Sequence, residues 1–278
     1  MASEMQRTLA REFTLHGIGL HTGCEASVTV APASADAGVS FVLEDGSRIA
    51  ATPDAVRSTV RCTTLASSTC VVNTVEHVLA ALAGMGVDNA LITMSGIEVP
   101  IMDGSALPFA GAIAQAGVVE QSAPRRVFQV REPSSQRDGD KLLVVVPAPA
   151  FAIDFFVSFP EPVGDQFLTT PAITPDYFLR EIAPARTFAF RAEIDALVAQ
   201  GLARGGSLDN AVVVDTGGYM GELRFPDEIV RHKALDLIGD FALIGMQPRC
   251  RVIALRTGHA LHVAAARALR AQLTAATG

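Results

Sequence analysis

Nothing in this chain narrows its fold more than Arg231-His-Lys-Ala-Leu-Asp-Leu-Ile-Gly-Asp240 and its flanks. At roughly 100° per residue, Val230, Ala234, Leu237, Phe241 and Ile244 fall on one side of a helix. His232, Asp236 and Asp240 fall on the other, one turn apart. The first set requires a core to face. The second sets an imidazole and a carboxylate at i and i+4, where both can reach one divalent cation, and nitrogen with oxygen donors suits zinc. A solvated polar face has the same spacing, and two-ligand spacings are common by chance. A metal centre therefore needs a third ligand from elsewhere in the chain.

The segment Asn73-Thr-Val-Glu-His-Val-Leu-Ala-Ala-Leu-Ala-Gly84 is the second strongly periodic one. Val75, Val78, Leu79 and Leu82 form a helical stripe, with Glu76 and His77 in the first turn. Asn73 can cap this helix with Glu76 as its capping-box partner, a structural role that competes with a catalytic one. A third histidine, His259, follows the strand Arg251–Leu255 and opens the final helix. Glu76-His77 and Arg231-His232 each lie early on a helix that precedes a strand. This faint echo suggests a duplicated α+β unit whose halves face each other.

Around these anchors, Thr8–Leu15 and Ala26–Val30 read as strands, and residues 31–72 as loops and short strands. Asn89–Met94, Lys141–Val146, Phe151–Phe159 and Ala211–Val214 are further strands. Helices are expected at 106–116, 175–182, 193–200 and 227–244. A fresh strand at Val127 after Pro124-Arg-Arg126 marks a domain boundary. The turn His16-Gly-Ile-Gly-Leu-His-Thr-Gly23 has neither the glycine spacing nor the following helix of a dinucleotide site. Zincin, phosphate-loop and nucleophile-elbow motifs are missing.

With 278 residues, 49% of them hydrophobic, the chain can build one large or two medium domains without staples. Its 22 basic and 29 acidic residues argue against broad nucleic-acid binding, though not against a small anion held by local cations. Cys24, Cys62, Cys70 and Cys250 show no Cys-x-x-Cys spacing and fit free thiols in a reducing cytoplasm. The N-terminus carries no signal-peptide h-region, and no run approaches the ~18 apolar residues of a membrane span.

Several motifs occur in series: Leu15-His-Gly-Ile-Gly-Leu-His-Thr-Gly23, Thr74-Val-Glu-His-Val-Leu-Ala-Ala-Leu82, Pro100-Ile-Met-Asp-Gly-Ser105, Ala185-Arg-Thr-Phe188, Gly205-Gly-Ser-Leu-Asp-Asn210, Arg231-His-Lys-Ala-Leu-Asp236 and Thr257-Gly-His259. Together they resemble the UDP-3-O-acyl-N-acetylglucosamine deacetylases, zinc amidases of the committed step of lipid A synthesis in Gram-negative bacteria. The resemblance covers essentially the whole chain. It implies His77, His232 and Asp236 as zinc ligands, Glu76 as general base and His259 as the second acid–base group. It places Thr187 near the reacting carbonyl and Lys233 against the substrate diphosphate, with Asp240 holding His259.

The family's fold is α+β: two similar domains, here 1–125 and 126–278, each of sheets layered against helices, with the site where they meet. An insert near 190–215 would form an acyl-chain passage, with Ala189, Leu197, Val198 and Leu202 as candidate lining. His21 and Phe188 are candidate substrate contacts, with turn and core roles as their alternatives. Cys62 is assigned to the cleft lining, and His262 is expected to be exposed. Two neutral imidazoles and a carboxylate would leave a zinc ion with net positive charge and an open position, as a Lewis-acid catalyst requires. The expectation is a cytoplasmic, monomeric, zinc-dependent hydrolase releasing acetate from UDP-3-O-acyl-N-acetylglucosamine. The rival readings are an amidohydrolase of another acylated nucleotide sugar and a zinc-stabilised binding protein.

Overall fold

Two ladders of the same connectivity organise the molecule, whose computed structural model describes residues 4–276. Across the first sheet the order is Phe13–Ile18, Glu25–Pro32, Ala90–Ser95, Val39–Leu43 and Arg48–Ala50. Across the second it is Ser134–Asp138, Lys141–Pro147, Gln247–Leu255, Ala152–Ser158 and Asp165–Thr169. Val127–Gln129 adds in parallel to the start of Gln247–Leu255. In both sheets the central strand comes last in sequence, antiparallel to the second strand and parallel to the third.

Helices bracket each central strand. In the first half they are α1 (Glu76–Gly84) and α2 (Leu107–Ala116). The insert contributes α3 (Arg191–Ala199). In the second half they are α4 (Glu228–Ala242) and α5 (His259–Ala276). The echo between Glu76-His77 and Arg231-His232 is thus a true structural repeat.

Alternation sets which side of each sheet faces inward. Glu25–Pro32 buries Ala26, Val28 and Val30, and Gln247–Leu255 buries Cys250, Val252 and Ala254. These residues meet the helices in one core shared by both halves, with Phe41, Leu79 and Phe109 from the first and Phe155, Phe178 and Phe241 from the second. Each fully buried side chain of this size contributes about 1.5–3 kcal/mol, so the halves are bound by the same apolar effect that folds them.

The central contact is α1 against α4. Gly239 permits it: a Cβ there would run into the backbone of Glu76. Helix α4 is therefore buried on both sides, Val230, Ala234 and Leu237 at 0% exposure and His232 and Asp236 at 3%. Its polar face is not solvated but looks onto the starts of α1 and α5.

Two local readings are corrected. Thr8–Leu15 is not one strand: Met5–Leu9 pairs with Val118–Pro124, and Phe13–Ile18 joins the large sheet after a turn at which Ala10 N donates to Gly117 O. Asn73 does not cap α1. Its side chain accepts from Thr64 Oγ1 and donates to Ile97 O, which frees the Glu76 carboxylate. Among the described residues, no helix is long and apolar enough to cross a membrane.

Candidate metal centre and its cleft

The first turn of α1 and one face of α4 bring His77, His232 and Asp236 together. One ligand atom from each lies within 4.8 Å of the others, and all three side chains are buried. His232 Nε2 is 3.3 Å from Asp236 Oδ1, and His77 Nε2 is 4.0 Å from the same oxygen. The two imidazoles meet edge to face with centroids 5.1 Å apart.

Proton positions show which atoms of this cluster offer lone pairs. His232 Nδ1 lies 3.1 Å from the Ala185 carbonyl oxygen, which can only accept, so the ring proton sits on Nδ1. Nε2 then presents a lone pair to a carboxylate oxygen. Burial, reinforced by His232, pushes His77 down to about 3, and burial also lowers His232, so both rings are neutral. Burial works against a charge on Asp236, but the Lys233 ammonium and, behind it, the His259 imidazolium outweigh it and hold the carboxylate ionised, well below its ordinary range. His77 Nδ1 is buried without a hydrogen-bond partner. Lone pairs that face one another are the donor set that a divalent cation satisfies, and two imidazoles with one carboxylate fit zinc.

Glu76 and His259 border this cluster. Glu76 Oε2 accepts the Thr63 N–H at 3.0 Å, and burial raises its carboxyl to about 7. His259 Nε2 lies 3.9 Å from both Glu76 Oε1 and Asp236 Oδ2. Its Nδ1 donates to Asp240 Oδ2 at 2.8 Å. Burial opposes the imidazolium, yet Asp240 and Asp236 together raise it to about 9.

Asp240, His259 and His262 make a second close cluster, but its atoms are already paired. Asp240 Oδ2 also accepts from His262 Nδ1 at 2.9 Å, and Oδ1 accepts from Thr63 Oγ1 at 2.6 Å. His262 Nε2 meets Thr257 Oγ1 at 2.9 Å. His262, expected at the surface, is fully buried against Phe155. The signal was present: His262, Ala266 and Leu269 lie at i, i+4 and i+7 on the buried face of α5. Thr257 belonged to the Thr257-Gly-His259 motif without a stated role, and Thr63 carried no sequence signal, because a hydroxyl shows its purpose only through its neighbours.

The centre opens into a cleft of about 480 Å³ lined by Glu76, Lys233, Thr187 and Phe188 among others. Thr187 is fixed through its backbone: its N–H donates to Gly104 O, and its carbonyl accepts from Val212 N, each at 2.8 Å. The Pro100–Ser105 motif thereby buttresses the wall, and Arg224 on Asp103 at 2.8 Å ties that turn to the second half. Phe188 packs edge-on to His232 with centroids 6.3 Å apart. Lys233 lies on the wall, but its Nζ rests on Asp236 Oδ2 at 2.6 Å.

Beside the cleft runs a second space of about 330 Å³, walled by Ala189, Leu197, Ala211 and Val213. His21, Thr187 and Phe188 line both spaces. Two of the four expected passage residues, Ala189 and Leu197, lie on this wall. Val198 and Leu202 do not: Val198 is 47% exposed, since successive positions on α3 point to different sides, and Leu202 lies beyond that helix. Cys62 lines neither space. It is buried behind Glu76, where burial and that carboxylate push the thiol to about 12, excluding a thiolate nucleophile.

Sequence comparison places this geometry. The family model described as LpxC, UDP-3-O-acyl N-acetylglycosamine deacetylase, matches residues 6–271. The chain belongs to this family. It is 47% identical over 265 residues to the UDP-3-O-acyl-N-acetylglucosamine deacetylase of Anaeromyxobacter sp. (strain Fw109-5), covering 94% of this chain and 87% of that relative. It is 43% identical to the one of Thermosynechococcus vestitus over 98% of this chain and 96% of the relative. The Myxococcus xanthus deacetylase is 45% identical over 94% of this chain and 85% of its own length.

Proposed function

We propose that this protein removes the N-acetyl group of UDP-3-O-acyl-N-acetylglucosamine as acetate, with His77, His232 and Asp236 holding a zinc ion. That reaction is the committed step of lipid A biosynthesis. The convergence of those three side chains beside Glu76 and His259 carries the reading. The flanking spaces suit the rest of such a substrate: the passage past Leu197 is apolar, as an acyl chain requires, and Lys141 lines the cleft as a cation for a diphosphate, together with Lys233 and Arg256, which pair with Asp236 and Asp140 in this structure.

When bound, zinc would supply a Lewis acid that acidifies water and polarises a carbonyl. Glu76, with a carboxyl near 7, is poised to accept a proton from the attacking water at neutral pH. The Thr63 N–H keeps its other oxygen in place. His259 is the complementary group: as an imidazolium it gives Nδ1–H to Asp240 and keeps Nε2–H for the departing amine. The Thr187 side chain on the cleft wall can donate to the developing oxyanion, a contact worth about 3 kcal/mol in comparable sites.

The pairing of Met5–Leu9 with Val118–Pro124 supports a domain division at 125/126, and the insert sheet of Phe188–Phe190, Val212–Asp215 and Gly218–Met220 supports a passage-forming unit near 190–215. One chain supplies all the residues named above, as a monomer requires, and the four free cysteines fit the cytoplasm. The test is acetate release from substrates of graded acyl length, before and after chelation. Equal rates with and without the 3-O-acyl chain would count against this substrate, and indifference to zinc removal against the metal.

A further inference from the structure

Glu76 and His259 come from opposite halves of the fold, on α1 and α5. One residue on neither helix is bonded to the surroundings of both. Thr63, 0% exposed, immediately precedes the short strand Thr64–Ala66. Its carbonyl accepts from Val75 N at 3.2 Å, which registers it against the start of α1. Its N–H donates to Glu76 Oε2 at 3.0 Å, so that Oε1 is the oxygen left 3.9 Å from His259 Nε2. Its hydroxyl donates to Asp240 Oδ1 at 2.6 Å.

The last of these bonds is made at an oxygen that the histidines do not use. His259 Nδ1 and His262 Nδ1 both donate to Asp240 Oδ2, at 2.8 and 2.9 Å. Among the described residues, only the Thr63 hydroxyl bonds Oδ1. A carboxylate held at one oxygen can pivot about it. Held at both, its plane is set, and with it the direction of the imidazole it supports. The Thr63 oxygen also lies 3.3 Å from His259 Nδ1, but the proton of each goes to the carboxylate, which can only accept.

We infer that Thr63 is a positioning residue for both proton transfers. Its hydroxyl orients Asp240 and, through it, His259, while its backbone N–H orients Glu76, so that one residue sets the base and the acid in register. The inference rests on the function proposed above.

The experiment measures kcat and KM for acetate release, together with bound zinc and Tm, in wild type, Thr63→Val, Thr63→Ala, Thr63→Ser, His259→Ala and the double variant Thr63→Val/His259→Ala. Valine keeps the shape and the backbone N–H and removes only the hydroxyl. Alanine is a second hydroxyl-free side chain in case valine does not fold, and serine keeps the hydroxyl without the methyl. Valine and alanine are both expected to lower kcat by about tenfold or more, the loss of one hydrogen bond to a charged group, with KM and zinc content unchanged. Serine should recover most of the rate. On the His259→Ala background valine should slow the enzyme no further, because the hydroxyl acts through that ring. A merely structural threonine gives another pattern: lower Tm at wild-type kcat, or serine as slow as valine. Either result would overturn the inference, as would a full tenfold loss added by valine to His259→Ala. A readout free of activity is the His259 Nδ1–H proton resonance of the zinc-free protein. It should shift or broaden in the hydroxyl-free variants and not in Thr63→Ser, and an unchanged signal in all of them contradicts the inference. These outcomes leave the deacetylase reading intact, whereas no acetate from wild type would overturn that reading and the inference with it.

Discussion

Replacing Gly239 by alanine adds one methyl group at the point where α4 crosses the start of α1. The new Cβ would lie 2.8 Å from the Glu76 carbonyl carbon and 2.9 Å from its Cα, and closer still to the carbonyl oxygen, where ordinary contact begins at 3.4 Å. Backbone, not a flexible side chain, is in the way, so the helices themselves must part. Overpacking of this kind costs about 1–3 kcal/mol, offset by up to ~1 kcal/mol because alanine is the better helix former. A net loss of about 1–2 kcal/mol lowers Tm by ~2–8 °C. The larger effect is on rate. Glu76 and His77 ride on one helix, His232 and Asp236 on the other, and a misplacement of roughly an ångström can cost about 100-fold. The assay is acetate release alongside thermal unfolding. Gly111→Ala on α2, where nothing lies within 4 Å of the added Cβ, is the control and is expected to be neutral or stabilising. A Gly239→Ala enzyme with wild-type Tm and rate would refute the claim that backbone contact between these helices sets the site.

The remaining expectations concern the proton-handling groups and their supports. Activity against pH is expected to form a bell, rising as Glu76 loses its proton near 7 and falling as His259 loses its own near 9; a profile flat across both limbs contradicts these roles. Glu76→Gln should abolish most acetate release while metal content stays at the wild-type level, and loss of metal from this variant would make Glu76 a ligand instead. His262→Phe leaves the Thr257 hydroxyl unpartnered in the interior at a cost of about 1–3 kcal/mol, read as lower Tm, and should slow turnover less than His259→Ala.

Much of this architecture is written in periodicity. The stripe of Val230, Ala234 and Leu237 announces α4, and Val75, Val78 and Leu82 announce α1, because each must bury one face. The candidate ligands are legible for the same reason: i and i+4 place His232 and Asp236 on one side whatever lies opposite. What periodicity cannot show is the partner. His262 passed for a surface residue because its acceptor, Asp240, is on another helix. Asn73 fitted a capping box locally, but Thr64 and Ile97 claim its side chain in the fold. Cys62 lies close to the machinery yet is buried and lines neither the cleft nor the passage. The closeness of α1 and α4 is carried by Gly239, a residue whose significance is an absence of side chain and so leaves no pattern.

The central claim is that one cation is shared by His77, His232 and Asp236. Anomalous diffraction at the zinc edge, from crystals grown with excess zinc, tests it most directly. A single strong peak among those three side chains, lost in His77→Ala, is the expected result. A peak within the Asp240–His259–His262 cluster instead, or no ordered site in the cleft, would contradict it.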